Sequence, residues 1–179
     1  MQNAHKCYSN EEIRIKAEKL KDKYNAKIPI DIKSIAENEG FIVVTRSLKE
    51  YEGTITNKAI SGISGVLYTT ENAKEIWVNE EDPEQRRNFT IAHELGHYYL
   101  HGGKENTKGT FVSFRGDKNP IETEANKFAA ELLLPTDDVK QVYEDTLFIP
   151  TVSYLASKFN VSDQAMRIKL EQMGLRRIG

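Results

Sequence analysis

The chain has 179 residues, 39% of them hydrophobic and 29% charged, and a formal net charge of −2. That suits one domain, or one domain with a small appendage, and excludes a disordered chain. The near-neutral balance gives no global reason to expect nucleic acid or an anionic membrane as partner. The single cysteine, Cys7, excludes an internal disulfide and a cysteine-based zinc site.

The first residues hold no apolar run of the signal-peptide kind, and no stretch approaches the ~20 apolar residues of a membrane span. The expectation is a cytoplasmic protein with no membrane partner. In chain order, Ser9 to Tyr24 reads as a helix: Ser9 and Glu12 have capping-box spacing, and Ile13, Ala17 and Leu20 recur at helical intervals. Pro29 to Gly40 is a second, short helix stopped by glycine. A β-rich run follows at 41–44, then a loop or irregular hairpin over 49–62. Residues 65–70 and 75–79 are two strands at hairpin separation. Pro83 to His101 is a long helix ended by Gly102 and Gly103. A polar loop over 104–119 includes a short strand at 111–114. Pro120 to Leu134 is a helix closed by Pro135, and another follows Thr136. Two last helices run from Thr151 to Lys158 and from Ser162 to Met173.

The charge divides unevenly. Residues 146–179 carry 5 basic and 2 acidic side chains, a net of +3, whereas residues 1–145 carry 20 and 25, a net of −5. The division expected is a domain over 1–145 and a helical tail over 146–179 whose helix, turn and helix are similar to a helix-turn-helix. Its second helix has an apolar stripe of Met166, Leu170 and Met173. Its other face, with Asp163, Gln164, Arg167 and Glu171, is mixed in sign. That disfavours direct DNA binding, because a face meeting phosphate should not carry two acids.

The long helix holds His93-Glu94-Leu95-Gly96-His97 within a largely apolar surround. Residues four apart on a helix project from one face, so both imidazoles can bind one ion. Glu94, turned by roughly 100°, cannot bind that ion comfortably but can hold a water beside it. Two histidines and a glutamate are expensive to bury without a task. His101 lies about 12 Å along the helix from His93, so all three histidines cannot share an ion unless the helix breaks. It reads as a helix C-terminal residue. The third ligand is sought on the helix from Pro120, whose apolar stripe is Ile121, Ala125, Phe128 and Leu132. Glu124 and Glu131 border that stripe on one side and Glu122 on the other. Either can be a solvated charge.

These blocks together resemble the ImmA/IrrE family of metallopeptidases. The likeness runs through GlyIleSerGlyValLeuTyr, IleTrpValAsn, the stretch ArgArgAsnPheThrIleAlaHisGluLeuGlyHisTyrTyrLeuHis, and GluThrGluAlaAsnLysPheAlaAlaGluLeuLeuLeuPro, and it continues into the tail. Leu134 departs mildly, standing where methionine is common. The resemblance implies an α+β fold: a zincin-like, gluzincin-type core with a small, mainly antiparallel sheet, an active-site helix, a third-ligand helix and the helical tail. It implies a zinc-dependent endopeptidase, with Mn²⁺ also compatible with the ligand types. His93, His97 and Glu124 are its implied ligands and Glu94 its general base. Asn126 and Glu131 match motif positions, with support of the ligands as a plausible role. Tyr98, Tyr99 and His101 are open alternatives for hydrogen bonding the developing oxyanion. A peptide substrate is expected to add as a strand to an exposed edge of the strands at 65–79. The implied partner is a protein substrate, an HTH-type repressor of a phage or mobile element. The competing readings are a DNA-binding regulator with an inactive peptidase-like domain, and a deformylase-like zinc hydrolase, which would need Cys7 as a ligand.

Overall fold

A computed structural model describes residues 7–49, 62–101, 109–114 and 119–175. Helix α1 spans Asn10–Lys23 and opens with the reciprocal Ser9–Glu12 capping box; Ile13, Ala17 and Leu20 form its buried stripe. Helix α2 covers Ile32–Asn38, shorter than the sequence suggests, because Asp31 caps it through the Ser34 N–H. Gly40 follows at φ +85°, a left-handed turn that glycine makes without Cβ strain. Strands β1 (Ile42–Arg46), β2 (Ile63–Thr69), β3 (Lys74–Asn79) and β4 (Gly109–Phe114) form one sheet in the order β1-β3-β2-β4. The pairs β2–β3 and β2–β4 are antiparallel and β1–β3 is parallel. The sheet is thus mainly antiparallel, as the resemblance implies.

Its order corrects one expectation. Both β2 and β3 are paired on both sides, so neither offers an edge for a peptide. The outer strands are β1 and β4. The hairpin turn between β2 and β3 was legible; the insertion of β3 beside β1 requires long-range pairing that sequence periodicity does not encode.

Helix α3 (Glu84–Leu100) lies against the sheet and packs on α4 (Pro120–Leu133). They come close together at Gly96. A Cβ there would come 3.0 Å from the Ala125 Cα and 3.2 Å from the Phe128 Cβ. Only a glycine lets the two backbones meet this closely without displacement. Helix α5 (Thr136–Asp145) follows, then α6 (Val152–Phe159) and α7 (Asp163–Gln172). Leu155, Phe159, Met166 and Leu170 of the last two helices join the same apolar core as Leu95, Phe128 and Leu132. The tail is therefore packed on the α3–α4 layer. Lys169 of α7 is buried and places its Nζ 2.9 and 3.0 Å from the two Glu131 carboxylate oxygens. This gives Glu131 a task the sequence left open: it fastens the tail to α4.

The expected hairpin over 49–62 lies almost wholly, and the Gly102–Gly103 stop wholly, outside the described residues. Among the described residues, no helix is long and apolar enough to cross a membrane.

Candidate metal centre

Helix α3 carries His93, Glu94 and His97 on its buried side, at 6%, 0% and 1% exposure. The two Nε2 atoms are 3.0 Å apart. A carboxylate from α4 closes on both: Glu122 Oε2 is 3.0 Å from His93 Nε2, and Oε1 is 3.2 Å from His97 Nε2. His93, His97 and Glu122 thus form a group able to hold a metal ion.

Glu124, the expected third ligand, is not in this group. The Glu124 carboxylate instead accepts from His101 Nε2 at 2.9 Å and from the Tyr8 backbone N–H at 3.0 Å. The reason lies in the close crossing of α3 and α4. With Ala125 against Gly96, the flank of α4 bearing Glu122 and Asn126 faces the histidine pair. Glu124 is carried to the other side. The stripe analysis correctly set the two glutamates on opposite borders, but one helix alone does not reveal which border its partner meets.

The outer ring nitrogens of both histidines are engaged. His93 Nδ1 is 3.0 Å from Asn126 Oδ1, an acceptor, so Nδ1 donates there and Nε2 is left facing Glu122. His97 Nδ1 is 3.2 Å from His101 Nδ1. His101 gives its Nε2–H to Glu124, so its Nδ1 accepts and His97 Nδ1 donates. Glu124, His101 and His97 form a chain that again leaves Nε2 facing the centre. Asn126 and His101 therefore orient the imidazoles. Tyr98 meets Phe41 edge-on with ring centroids 5.0 Å apart, and Tyr99 stacks on Phe128 and hydrogen bonds Glu39.

Electrostatics fit this arrangement. Burial pushes the Glu122 carboxyl up, but hydrogen bonds from His93 and His97 outweigh it and hold Glu122 at about 2. Burial opposes charge on His93, yet the Glu122 hydrogen bond and the Glu94 charge raise it. For Glu94, burial dominates and pushes the carboxyl up, against the neighbouring imidazoles. Among the described residues neither Glu94 oxygen has a hydrogen-bond partner, though both are wholly buried. An uncompensated buried carboxyl costs several kcal/mol at order of magnitude, so a functional constraint is needed to maintain it.

Two further residues complete the centre, and sequence reasoning missed both. Gly65 of β2 lies under Glu94; a Cβ there would come 2.7 Å from Glu94 Oε1 and 2.4 Å from Thr90 Cγ2. Its cross-strand partner on β4 is Ser113. The Ser113 Oγ is 3.1 Å from His93 Nε2 and 3.5 Å from His97 Nε2. The signal was present, since a serine amid Phe111, Val112 and Phe114 breaks an apolar strand. Cys7 is exposed.

A His, His, Glu donor set with a buried, unpartnered carboxylate beside it is the arrangement of a metallopeptidase site. The comparisons with known proteins agree: the sequence profile of the peptidase M78 family, described as the IrrE N-terminal-like domain, matches residues 53–171. The chain belongs to that family. It is 34% identical over 113 residues to metallopeptidase ImmA of Bacillus subtilis (strain 168), covering 62% of this chain and 64% of ImmA. It is 37% identical over 86 residues to uncharacterized immunity region protein 2 of Bacillus phage phi105, covering 48% and 53%. The matches thus span between half and two thirds of these relatives. A Mycobacterium tuberculosis transcriptional regulator has a similar fold, with a TM-score of 0.53 at 15% identity, over 90% of this chain and 46% of that one.

Proposed function

We propose that the chain is a metal-dependent endopeptidase with a zincin-like core, in which His93, His97 and Glu122 hold the ion and Glu94 is the general base. The observation that carries this reading is the Glu94 carboxylate, wholly buried and without a hydrogen-bond partner among the described residues, one residue from His93. The donors fit a small divalent ion. Bonds of about 2.0–2.1 Å in a tetrahedron give donor separations of about 3.4 Å, close to the 3.0–3.2 Å found between them. Nitrogen and oxygen donors suit Zn²⁺ and also admit Mn²⁺.

A bound ion supplies Lewis acidity, polarising the scissile carbonyl and making water a better nucleophile near neutral pH. Glu94 takes the proton from the attacking water and gives it to the departing amine. Asn126 and His101 hold the imidazoles in the tautomers that face the ion.

The substrate is a cytoplasmic protein, a helix-turn-helix repressor of a phage or mobile element. The support is the similarity to a phage immunity-region protein and to ImmA. A DNA-binding role for the tail is disfavoured. The exposed residues of α7 include Asp163, Arg167 and Glu171, and Lys169 is buried on Glu131. The test is to incubate the zinc-loaded chain with purified repressors of this type and read cleavage by mass spectrometry. Wild type cuts at a defined bond, and Glu94→Gln binds metal but cuts at least about a thousandfold more slowly. Equal cleavage by both proteins contradicts the assignment.

A further inference from the structure

Ser113 is the one hydroxyl-bearing residue within hydrogen-bond reach of both ligand-face nitrogens among the described residues. It is 1% exposed and lies on β4, the last strand in the sheet order. Its Oγ distances of 3.1 and 3.5 Å to the two Nε2 atoms match those within the His93, His97 and Glu122 set, at 3.0, 3.0 and 3.2 Å. The outer nitrogens of both imidazoles are spent on Asn126 and His101. Ser113 therefore meets the inward-facing nitrogens, where an ion would sit. A catalytic site of this class takes three protein ligands and leaves the fourth position to water or substrate.

We infer that the Ser113 hydroxyl fills the fourth coordination position, so that the centre is self-occupied and a substrate or water must displace β4's serine to reach the ion. This rests on the metal-site reading above. The β2–β4 register supports it: Ser113 is paired with Gly65, the residue that makes room for Glu94. One cross-strand pair thus places the base and the blocking hydroxyl side by side. A hydroxyl ligand with its hydrogen toward Glu94 imitates the attacking water.

The test uses the full chain in a Cys7→Ser background, loaded with Co²⁺ and followed by its visible spectrum. Sodium azide is titrated into the parent and into Ser113→Ala. Removing a protein ligand opens the position, so Ser113→Ala binds azide about tenfold tighter or more, with altered cobalt bands in the absence of azide. Ser113→Cys adds a thiolate-to-cobalt charge-transfer band in the near ultraviolet, absent from the parent. Cobalt bands and azide affinity unchanged by Ser113→Ala overturn the inference while leaving the metal site intact. Failure of the parent to bind cobalt overturns the site itself and this inference with it.

Discussion

Gly65 and Glu94 share one volume. The carboxylate of the helix occupies the space where any other residue on β2 would put a Cβ, 2.7 Å from Glu94 Oε1. The strand and the active-site helix can approach only because position 65 has no side chain. Thr90, one turn before Glu94, closes the same gap, with its Cγ2 at 2.4 Å from that Cβ. Gly65→Ala is therefore expected to push α3 from β2. Overpacking of this kind costs roughly 1–3 kcal/mol, read as a lower urea midpoint at unchanged slope. Peptidase activity should fall further than stability explains, because Glu94 moves. A variant with wild-type midpoint and activity would show that the contact relaxes freely.

The orientation of His97 depends on His101 and, behind it, on Glu124. His101→Ala removes the acceptor for His97 Nδ1–H and leaves the Glu124 carboxylate without that partner. Loss of such support weakens metal binding by about 10–100-fold, measurable by competition with a chromogenic chelator. Unaltered affinity would reduce His101 to the helix-end residue the sequence suggested.

Lys169 and Glu131 join the tail to α4 through a pair that is buried on the lysine side. Removing one partner strands the other. Lys169→Ala is expected to destabilise the chain by about 2–4 kcal/mol, toward the lower part of the range for buried pairs because Glu131 is partly exposed. Lys169→Met with Glu131→Leu should recover part of that loss. Thermal unfolding of the three proteins checks both statements; additive losses in the double variant would contradict the pairing.

Glu39 gathers Lys23, Tyr24 and Tyr99 at the end of α2. Burial works upward on its carboxyl, but these partners hold it at about 2, well below the usual carboxylate range. A depressed folded-state value means stability that is present above the unfolded value and lost as pH falls toward 2. Glu39→Gln should thus cost on the order of 1–2 kcal/mol at pH 7 and progressively less between pH 4.5 and 2. A pH-independent difference in unfolding free energy would assign the effect to packing.

Much of this architecture could be read in local signals. The Ser9–Glu12 box, the apolar stripe of α1 and the glycine after α2 each act within a few residues, and the helix ends followed from them. The motif on α3 likewise put His93 and His97 on one face because helical spacing alone fixes it. The choice between Glu122 and Glu124 did not follow. It depends on how α4 rotates as it meets Gly96, a contact between segments about thirty residues apart. Ser113 and Gly65 were hidden for a similar reason, since only the β2–β4 register brings them together beneath α3. The resemblance to a family supplied the class of chemistry, and the packing brings Glu122, not Glu124, to the two histidines.

The central claim is that Glu122, with His93 and His97, holds the ion. Elemental analysis after metal loading and gel filtration tests it on wild type, Glu122→Ala and Glu124→Gln. The account predicts close to one zinc per wild-type chain, near-complete loss in Glu122→Ala and retention in Glu124→Gln. Retention in Glu122→Ala with loss in Glu124→Gln, or a wild-type chain that takes up no metal, would contradict it.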